Sequence, residues 1–280
     1  MPIIETTNTE VKDFAGLHLY HFWLSSCSQR VRTVLSEKGL DWTSHEVNLP
    51  EQEHATPAYQ SINPNGVVPT LVHDGQVIIE SIDIIDYLDI QFPTVPLRPK
   101  NPEQSSEMQC WLAEADAAQG SIKVLTHEFL FKPNKMSTAQ FIEFSKTHRN
   151  TELVEFMRVW CSDSGIPRSD IESALQIQLD SFDRLNTALA TRDWLVGNTF
   201  SLADIAWISN VRRLDIMLYP LEIHPNLNDW YLRFQKKPCY SAAISNYEIV
   251  PVIDKFQSYN KSRNIEGTGV TSYLPLNRIN

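Results

Sequence analysis

The stretch FPTVPLRPKNP, residues 92–102, divides this 280-residue sequence into two unlike parts. Its four prolines remove backbone donors and push the residues before them out of the helical region, so it reads as an extended link. Every convincing strand pattern lies before it; after it the chain carries helical patterns alone. Any sheet must therefore be small and confined to the N-terminal part. The fold class expected is α/β + all-α, in two domains. The boundaries read as an N-terminal arm (1–16), an α/β domain (17–97), a linker (98–105), a helical domain (106–256) and an extended C-terminal tail (257–280).

Within the first part, LHLYHF (17–22) has the aromatic and aliphatic character of a short strand. The chain then shifts to helical spacing, with Val31, Val34 and Leu35 on one face and Gly39 placed to stop the helix. WTSHEVNL (42–49) alternates as a second strand. PTLVHDGQVIIES (69–81) is two β-rich runs around Asp74-Gly75, a strong hairpin signal. SIDIIDYLDIQF (81–92) returns to helical spacing through Ile84, Ile85 and Leu88. The order is β-α-β-loop-β-β-α. In the second part, apolar residues from Ile171 to Leu189 recur at steps of three or four and predict a long helix. KPNK, charged clusters and SDSGIP predict broken helices across 129–170. FSLADIAW (200–207) predicts a firmly specified helix start. There Ser201 and Asp204 have capping-box spacing, and Phe200 and Ile205 that of a hydrophobic staple.

A net charge of -10 and a pI near 5.3 argue against nucleic acid or an anionic membrane as partner, since both need basic patches. No apolar run approaches the roughly 18 residues of a membrane span. The start, MPIIETTNTEVKD, lacks the positive and apolar regions of a signal peptide. Cys27, Cys110, Cys161 and Cys239 lie far apart with no C-x-x-C, so neither a metal site nor a dithiol pair is expected. A reducing, cytoplasmic location follows.

Three motifs carry chemistry. SSCS, residues 25–28, puts three hydroxyls and a thiol at the first turn of a helix. Either these residues only cap it, since a serine oxygen accepts an unpaired N–H, or this helix end holds the sulfur anion of a ligand. In NPNGVVPTL (63–71), Pro69 opens a strand and can form a cis bond with Val68. That would leave the Val68 backbone pointing outward to pair with an extended peptide. The other reading is an ordinary edge-strand proline. Glu80-Ser81 stands at a strand-to-helix junction, with Ser81 as N-cap. Helix N–H groups attract a carboxylate and an acidic side chain attracts an ammonium, a pair that suits the zwitterionic end of an amino acid. A capping serine beside a solvated glutamate reads equally well.

Taken together and in order, SSCSQRVR, NPNGVVPTL, ES and FSLADI resemble the cytosolic glutathione S-transferase superfamily over residues 17–256. SSCSQRVR is similar to the zeta-class pattern, whose members include maleylacetoacetate isomerases. The longer helical part, with EQEH, INPNGVVPTLVHDG and WLVGNTFSLADI, is more like the bacterial β-aryl etherases and the ganglioside-induced differentiation-associated proteins. The chain departs from both. It is longer than a zeta enzyme, and the etherases do not carry SSCS here.

The resemblance implies a thioredoxin-like N-terminal domain that binds glutathione as co-substrate and a helical bundle domain that shapes the pocket for a small hydrophobic electrophile, aromatic ones among the candidates. It implies a homodimer as well. The thiol-activating serine falls on Ser25, with Ser26, Cys27 and Ser28 as the other candidates of the same turn. Val68 before Pro69 meets the cysteinyl backbone, Glu80 and Ser81 meet the γ-glutamyl end, and His54 meets the glycine end. The implied function is thiolate attack of glutathione on the electrophile: β-aryl ether cleavage, or zeta-like isomerisation or dehalogenation. The alternative is a non-catalytic binding or regulatory protein of the same fold. Cys27 reads as a small side chain behind the sulfur site, or as a thiol that exchanges with glutathione.

Overall fold

The computed structural model describes residues 3–275 and groups them in two units: residues up to 95 with 135–165, and 96–134 with 166 onward. The first unit holds a five-stranded mixed sheet of order β1-β5-β4-β2-β3. Its strands are β1 (Ile3–Ile4), β2 (Leu17–His21), β3 (Thr43–Glu46), β4 (Thr70–His73) and β5 (Gln76–Ile78). The β2–β3 pair is parallel, bridged by α1 (Ser26–Glu37), and the remaining pairs are antiparallel. The β4–β5 hairpin turns on Asp74 and Gly75, both at positive φ as a two-residue turn of this kind requires. A side chain at Gly75 would also collide with the Lys12 backbone, so the N-terminal segment is seated on this turn.

α1 packs against α3 (Ser81–Gln91), and Val31, Val34 and Leu35 of the one and Ile84, Ile85 and Leu88 of the other are fully buried, as their spacing predicts. Each such side chain contributes roughly 1.5–3 kcal/mol on burial. Where α1 ends, Lys38 forms a 2.6 Å ion pair with Asp89 and donates to the carbonyls of Phe92 and Val95. One buried ammonium thus ties α1 to the end of α3 and to the link.

The first unit departs from the sequence reading in three places. The N-terminal arm is part of the sheet: Ile3 pairs with Ile78 and Ile4 with Val77. Val11 then joins Ile62, Val72, Val77 and Ile79 in a small core. The segment expected as a loop between the second strand and the hairpin contains α2 (Pro57–Ile62), with Thr56 as N-cap and proline at its start. Residues 129–170 are broken into short helices as expected, among them α6 (Thr138–Thr147) and α7 (Thr151–Cys161); the difference is that both group with the sheet rather than with the helical part. Ser137 and Asn150 cap them.

The second unit is all helical: α4 (Pro102–Ala117), α5 (Gln119–Thr126), α8 (Arg168–Ala188), α9 (Leu202–Ile216), α10 (Pro225–Phe234), α11 (Pro238–Ala243) and α12 (Val250–Ile265). α5 packs on α8 and α4 on α9, with Phe182, Trp207, Trp230 and Phe234 fully enclosed. The Ser201–Asp204 capping box starts α9. Phe200 stacks edge-on against Trp194 and Phe234.

The tail expected to be extended from 257 is instead helical as far as Ile265. α12 is held by buried polar groups: Arg263 donates to the Glu128 carboxylate and carbonyl at 2.8 and 2.9 Å, and Asn260 to the Phe129 carbonyl at 2.9 Å. These bonds fix a π-helical turn, His127–Phe131, that follows α5. Residues 276–280 of that expected tail lie outside the described residues. No helix among the described residues is long and apolar enough to cross a membrane.

Candidate active site

Three chain ends meet at one end of the sheet. β2 and β4 are antiparallel, with Tyr20 opposite Thr70, so the start of α1 and the residues just before β4 lie side by side. β5 returns beside β4 with Ile78 opposite Leu71, which delivers the start of α3 to the same end. The topology therefore brings together Ser25–Ser28, Val68–Pro69 and Glu80–Ser81, three motifs spread from residue 25 to residue 81 of the sequence.

Ser25 is the N-cap of α1. Its Oγ accepts the Ser28 N–H at 3.2 Å, and the residue is half-buried. The hydroxyl thus has an N–H on its lone pair while its own hydrogen stays available to donate. Ser26 is buried and Cys27 half-buried. Ser28 narrows the expected set: it is fully enclosed, and its Oγ accepts the Phe22 N–H at 3.4 Å. That hydroxyl supports the turn from within and has no face toward a ligand.

The turn itself is held by a buried arginine of the SSCSQRVR segment. Arg32, 1% exposed, donates to the carbonyls of Phe22 and Trp23 at 3.2 and 3.0 Å and to His21 Nδ1 at 3.2 Å. Burial and the Arg32 charge push the His21 pKa down to about 3, so its ring is neutral. With Nδ1 accepting, Nε2 donates to Ser44 Oγ at 2.7 Å and ties the turn to β3. Arg30, also fully buried, donates to Ser81 Oγ at 3.2 Å and so links the starts of α1 and α3. The R-V-R of SSCSQRVR was the available signal for both.

The Val68–Pro69 bond is cis. The β2–β4 register ends at Thr70, so Val68 lies beyond the ladder. Its neighbour is firmly held: the Val67 carbonyl accepts from Tyr59 Oη at 2.7 Å and Asn63 Nδ2 at 2.9 Å. Tyr59 and Asn63 also bond Thr70 Oγ1. The loop is therefore rigid on either side of a backbone segment that no strand claims.

At the third motif the cap differs from expectation. Glu80, rather than Ser81, stands at the N-cap position, and Ser81 is the first helical residue. Glu80 has φ +64°, a conformation that costs a non-glycine residue on the order of 1–3 kcal/mol and persists where the surroundings impose it. Its exposed carboxylate accepts from Asn65 Nδ2 at 3.1 Å. Ser81 is buried, with its hydroxyl on Arg30. His54 is half-buried beside α6 and α7, and its Nδ1 is enclosed without a hydrogen-bond partner. Burial, then the nearby His148, push its pKa down to about 4.

The arrangement offers two helix N-termini, one carboxylate on a strained backbone and one backbone segment outside the β-ladder. A ligand that fits would carry an extended peptide, an ammonium, a carboxylate and an anion at its middle. No group of three or more histidine, cysteine, aspartate or glutamate side chains among the described residues could hold a metal ion.

Residues 24–91 match the family described as Glutathione S-transferase, N-terminal domain, and 168–233 its C-terminal domain. The chain is 32% identical to Protein LigF of Sphingobium over 195 residues, covering 68% of this chain and 75% of LigF. The crystal structure of that protein, beta-etherase LigF, superposes with a TM-score of 0.75 at 28% identity, covering 82% of this chain and 99% of the other. Glutathione S-transferase TCHQD of Arabidopsis thaliana is 25% identical over 247 residues, 82% of this chain and 90% of that relative. A probable maleylacetoacetate isomerase of Caenorhabditis elegans is 50% identical, but over 84 residues, 30% of this chain and 39% of the isomerase.

Proposed function

The chain belongs to the glutathione S-transferase family, and from that premise we propose an enzyme that cleaves a small aromatic ether by attack of glutathione thiolate, with Ser25 donating to the sulfur. The observation that carries this reading is the gathering of a Ser25-capped helix start, the Val68 backbone outside the β-ladder and Glu80–Ser81 at one end of the sheet. A free thiol with a pKa of about 8.5 is only about 3% ionised at pH 7. A hydroxyl donor at a helix N-terminus that lowers the pKa by about two units raises the reactive fraction to roughly three quarters. A serine supplies that donor without being a strong nucleophile itself.

The choice of ether cleavage rests on how far each likeness extends. The likeness to the beta-etherase covers most of both chains and so includes much of the helical unit. The likeness to the isomerase spans 84 residues. In the ether reaction a C–S bond forms as the C–O bond breaks, the phenolate leaves, and it takes a proton. One glutathione is consumed per turnover. Isomerisation would return glutathione unchanged, so the stoichiometry separates the two. Assaying an arylglycerol β-aryl ether and maleylacetoacetate side by side, with glutathione counted, tests the proposal. Turnover of the isomerase substrate alone would overturn it.

Glutathione binding by Glu80 and Ser81 makes a second expectation. Glu80→Ala and Ser81→Ala should each weaken glutathione by about ten-fold in a calorimetric titration, the value of one hydrogen bond to a charged group. Unchanged affinity in both would rule this placement out. We place the protein in the cytoplasm, where its free cysteines stay reduced, and propose a homodimer. Sedimentation of a stable 32.1 kDa species at micromolar concentration would reject the dimer.

A further inference from the structure

Helices α6 and α7 fall between the two stretches that match the family, yet they group with the sheet. The turn that joins them is fastened to the loop preceding Val68. Gln60, 2% exposed, uses both ends of its amide: Nε2 donates to the Thr147 carbonyl at 2.8 Å, and Oε1 accepts the Arg149 N–H at 2.9 Å. His148 Nε2 donates to the Gly66 carbonyl at 3.1 Å while its Nδ1 accepts the Asn150 N–H at 3.1 Å, which fixes the neutral tautomer. Asn150 Nδ2 approaches the Asn65 carbonyl at 3.5 Å, and Asn65 is the residue that holds Glu80. Gly66 has φ +57°, and a Cβ there would lie 2.6 Å from His148 Nε2, so the close approach needs glycine.

The same turn sets the ring of His54. The rings of Phe144 and His148 stand 6.0 and 5.6 Å from it and 4.8 Å from each other. Packing against two rings leaves the imidazole little freedom to swing. Its Nδ1 is enclosed and unpartnered, and a buried N–H without an acceptor is rarer than a lone pair without a donor. The hydrogen therefore belongs on Nε2, where it can be donated to an anionic group.

We infer that His148 is a positioning residue for the glycyl end of glutathione: it acts through His54 and Gly66, so that the α6–α7 pair sets how strongly this protein prefers glutathione to a thiol without the glycine. The inference rests on the reading that His54 meets the glycyl carboxylate. Every residue it uses lies within one unit.

The test is calorimetric titration of glutathione and of γ-glutamylcysteine, which lacks the glycine, into the full chain. Wild type should prefer glutathione. His148→Ala should weaken glutathione about ten-fold and γ-glutamylcysteine little, while His148→Gln, whose amide can still donate to Gly66, should recover most of the loss. Because His148 acts in part through His54, adding His148→Ala to His54→Ala should weaken glutathione by less than it does in the wild-type background. If His148→Ala does not fold, Phe144→Leu removes a ring from His54 and should show the same selective loss. Wild-type affinity in His148→Ala, or an equal loss for both thiols in a folded variant, overturns the inference. Wild type that binds neither thiol refutes the glutathione reading beneath it instead, so the two failures are told apart.

Discussion

Replacing Ser25 by alanine should lower turnover by roughly 10- to 150-fold and leave glutathione bound, because a hydrogen bond to a charged sulfur is worth on the order of 1.5–3 kcal/mol. The contacts expected to hold the peptide in the ground state lie on Val68, Glu80 and Ser81, so the loss belongs to the chemical step. Ser25 also caps α1 through the Ser28 N–H, and losing that bond costs about 1 kcal/mol of stability by itself. Ser25→Gly separates the two effects, since glycine at an N-cap costs only a few tenths. Both variants should show the same loss of rate if the hydroxyl acts on sulfur. The direct measurement is the ultraviolet thiolate absorbance of the glutathione complex against pH. It should shift upward by about one to two units in both variants and stay in place in Ser28→Ala, whose hydroxyl is enclosed. Curves that overlay the wild type for Ser25, with Cys27→Ala or Ser26→Ala displaced, would move the role along the turn. No displacement in any of them would favour a protein that binds glutathione without activating it.

How much of this was legible in the sequence depends on the range of the interaction that decided it. The β2–α1–β3 order, the Asp74-Gly75 hairpin, the α1 and α3 apolar faces and the capping box of α9 are local patterns, and they read correctly. The cis Val68–Pro69 bond was legible because proline makes it available at that strand start. What was missed turns on long-range burial. Nothing within SSCS distinguishes the enclosed Ser28 from the half-buried Ser25; that difference arises from packing against the Phe22 turn. Arg30 and Arg32 would ordinarily be placed on a surface, since arginine is seldom buried without partners. Their partners include backbone carbonyls, a neutral histidine and Ser81, which only the folded turn assembles.

Two further differences have the same origin. Thr56-Pro57 is a standard helix start, but six residues of α2 carry too little periodicity to outweigh a loop reading. Helices α6 and α7 were expected with the helical part because they follow the proline-rich link. Their attachment is decided by Gln60 and His148, single polar side chains that read backbone far away in sequence. The end of the chain misled for a different reason. α12 is mostly polar by composition, and its inward face consists of Asn260 and Arg263 as well as Ile253 and Phe256. A helix that docks through buried polar groups gives a weak apolar period.

Asp204 offers the largest expected effect on stability. Its side chain is fully enclosed and accepts four hydrogen bonds: Leu195 N–H at 3.0 Å and Trp230 Nε1 at 2.9 Å on Oδ1, and Ser201 N–H at 2.9 Å and Ser201 Oγ at 3.2 Å on Oδ2. One carboxylate therefore joins the loop before α9, the start of α9 and α10. Asp204→Ala would leave these donors facing an apolar gap, and should cost about 3–5 kcal/mol, a large share of the roughly 5–15 kcal/mol that holds a domain folded. The loss should appear as a lower urea midpoint with the slope unchanged. Its pH dependence has a definite sign. Burial raises the Asp204 pKa to about 6, against the pull of the four donors, from an ordinary value of 3.8. A raised folded-state pKa means that the native form binds the proton more strongly. The contribution is complete below about pH 4 and is lost as pH rises through 6, a total of about 3 kcal/mol. Asp204→Asn has no such titration, so the stability of wild type relative to this variant should fall by most of that amount between pH 4 and pH 7. A difference that stays constant across this window would mean that the carboxylate remains ionised throughout, with the four donors outweighing burial.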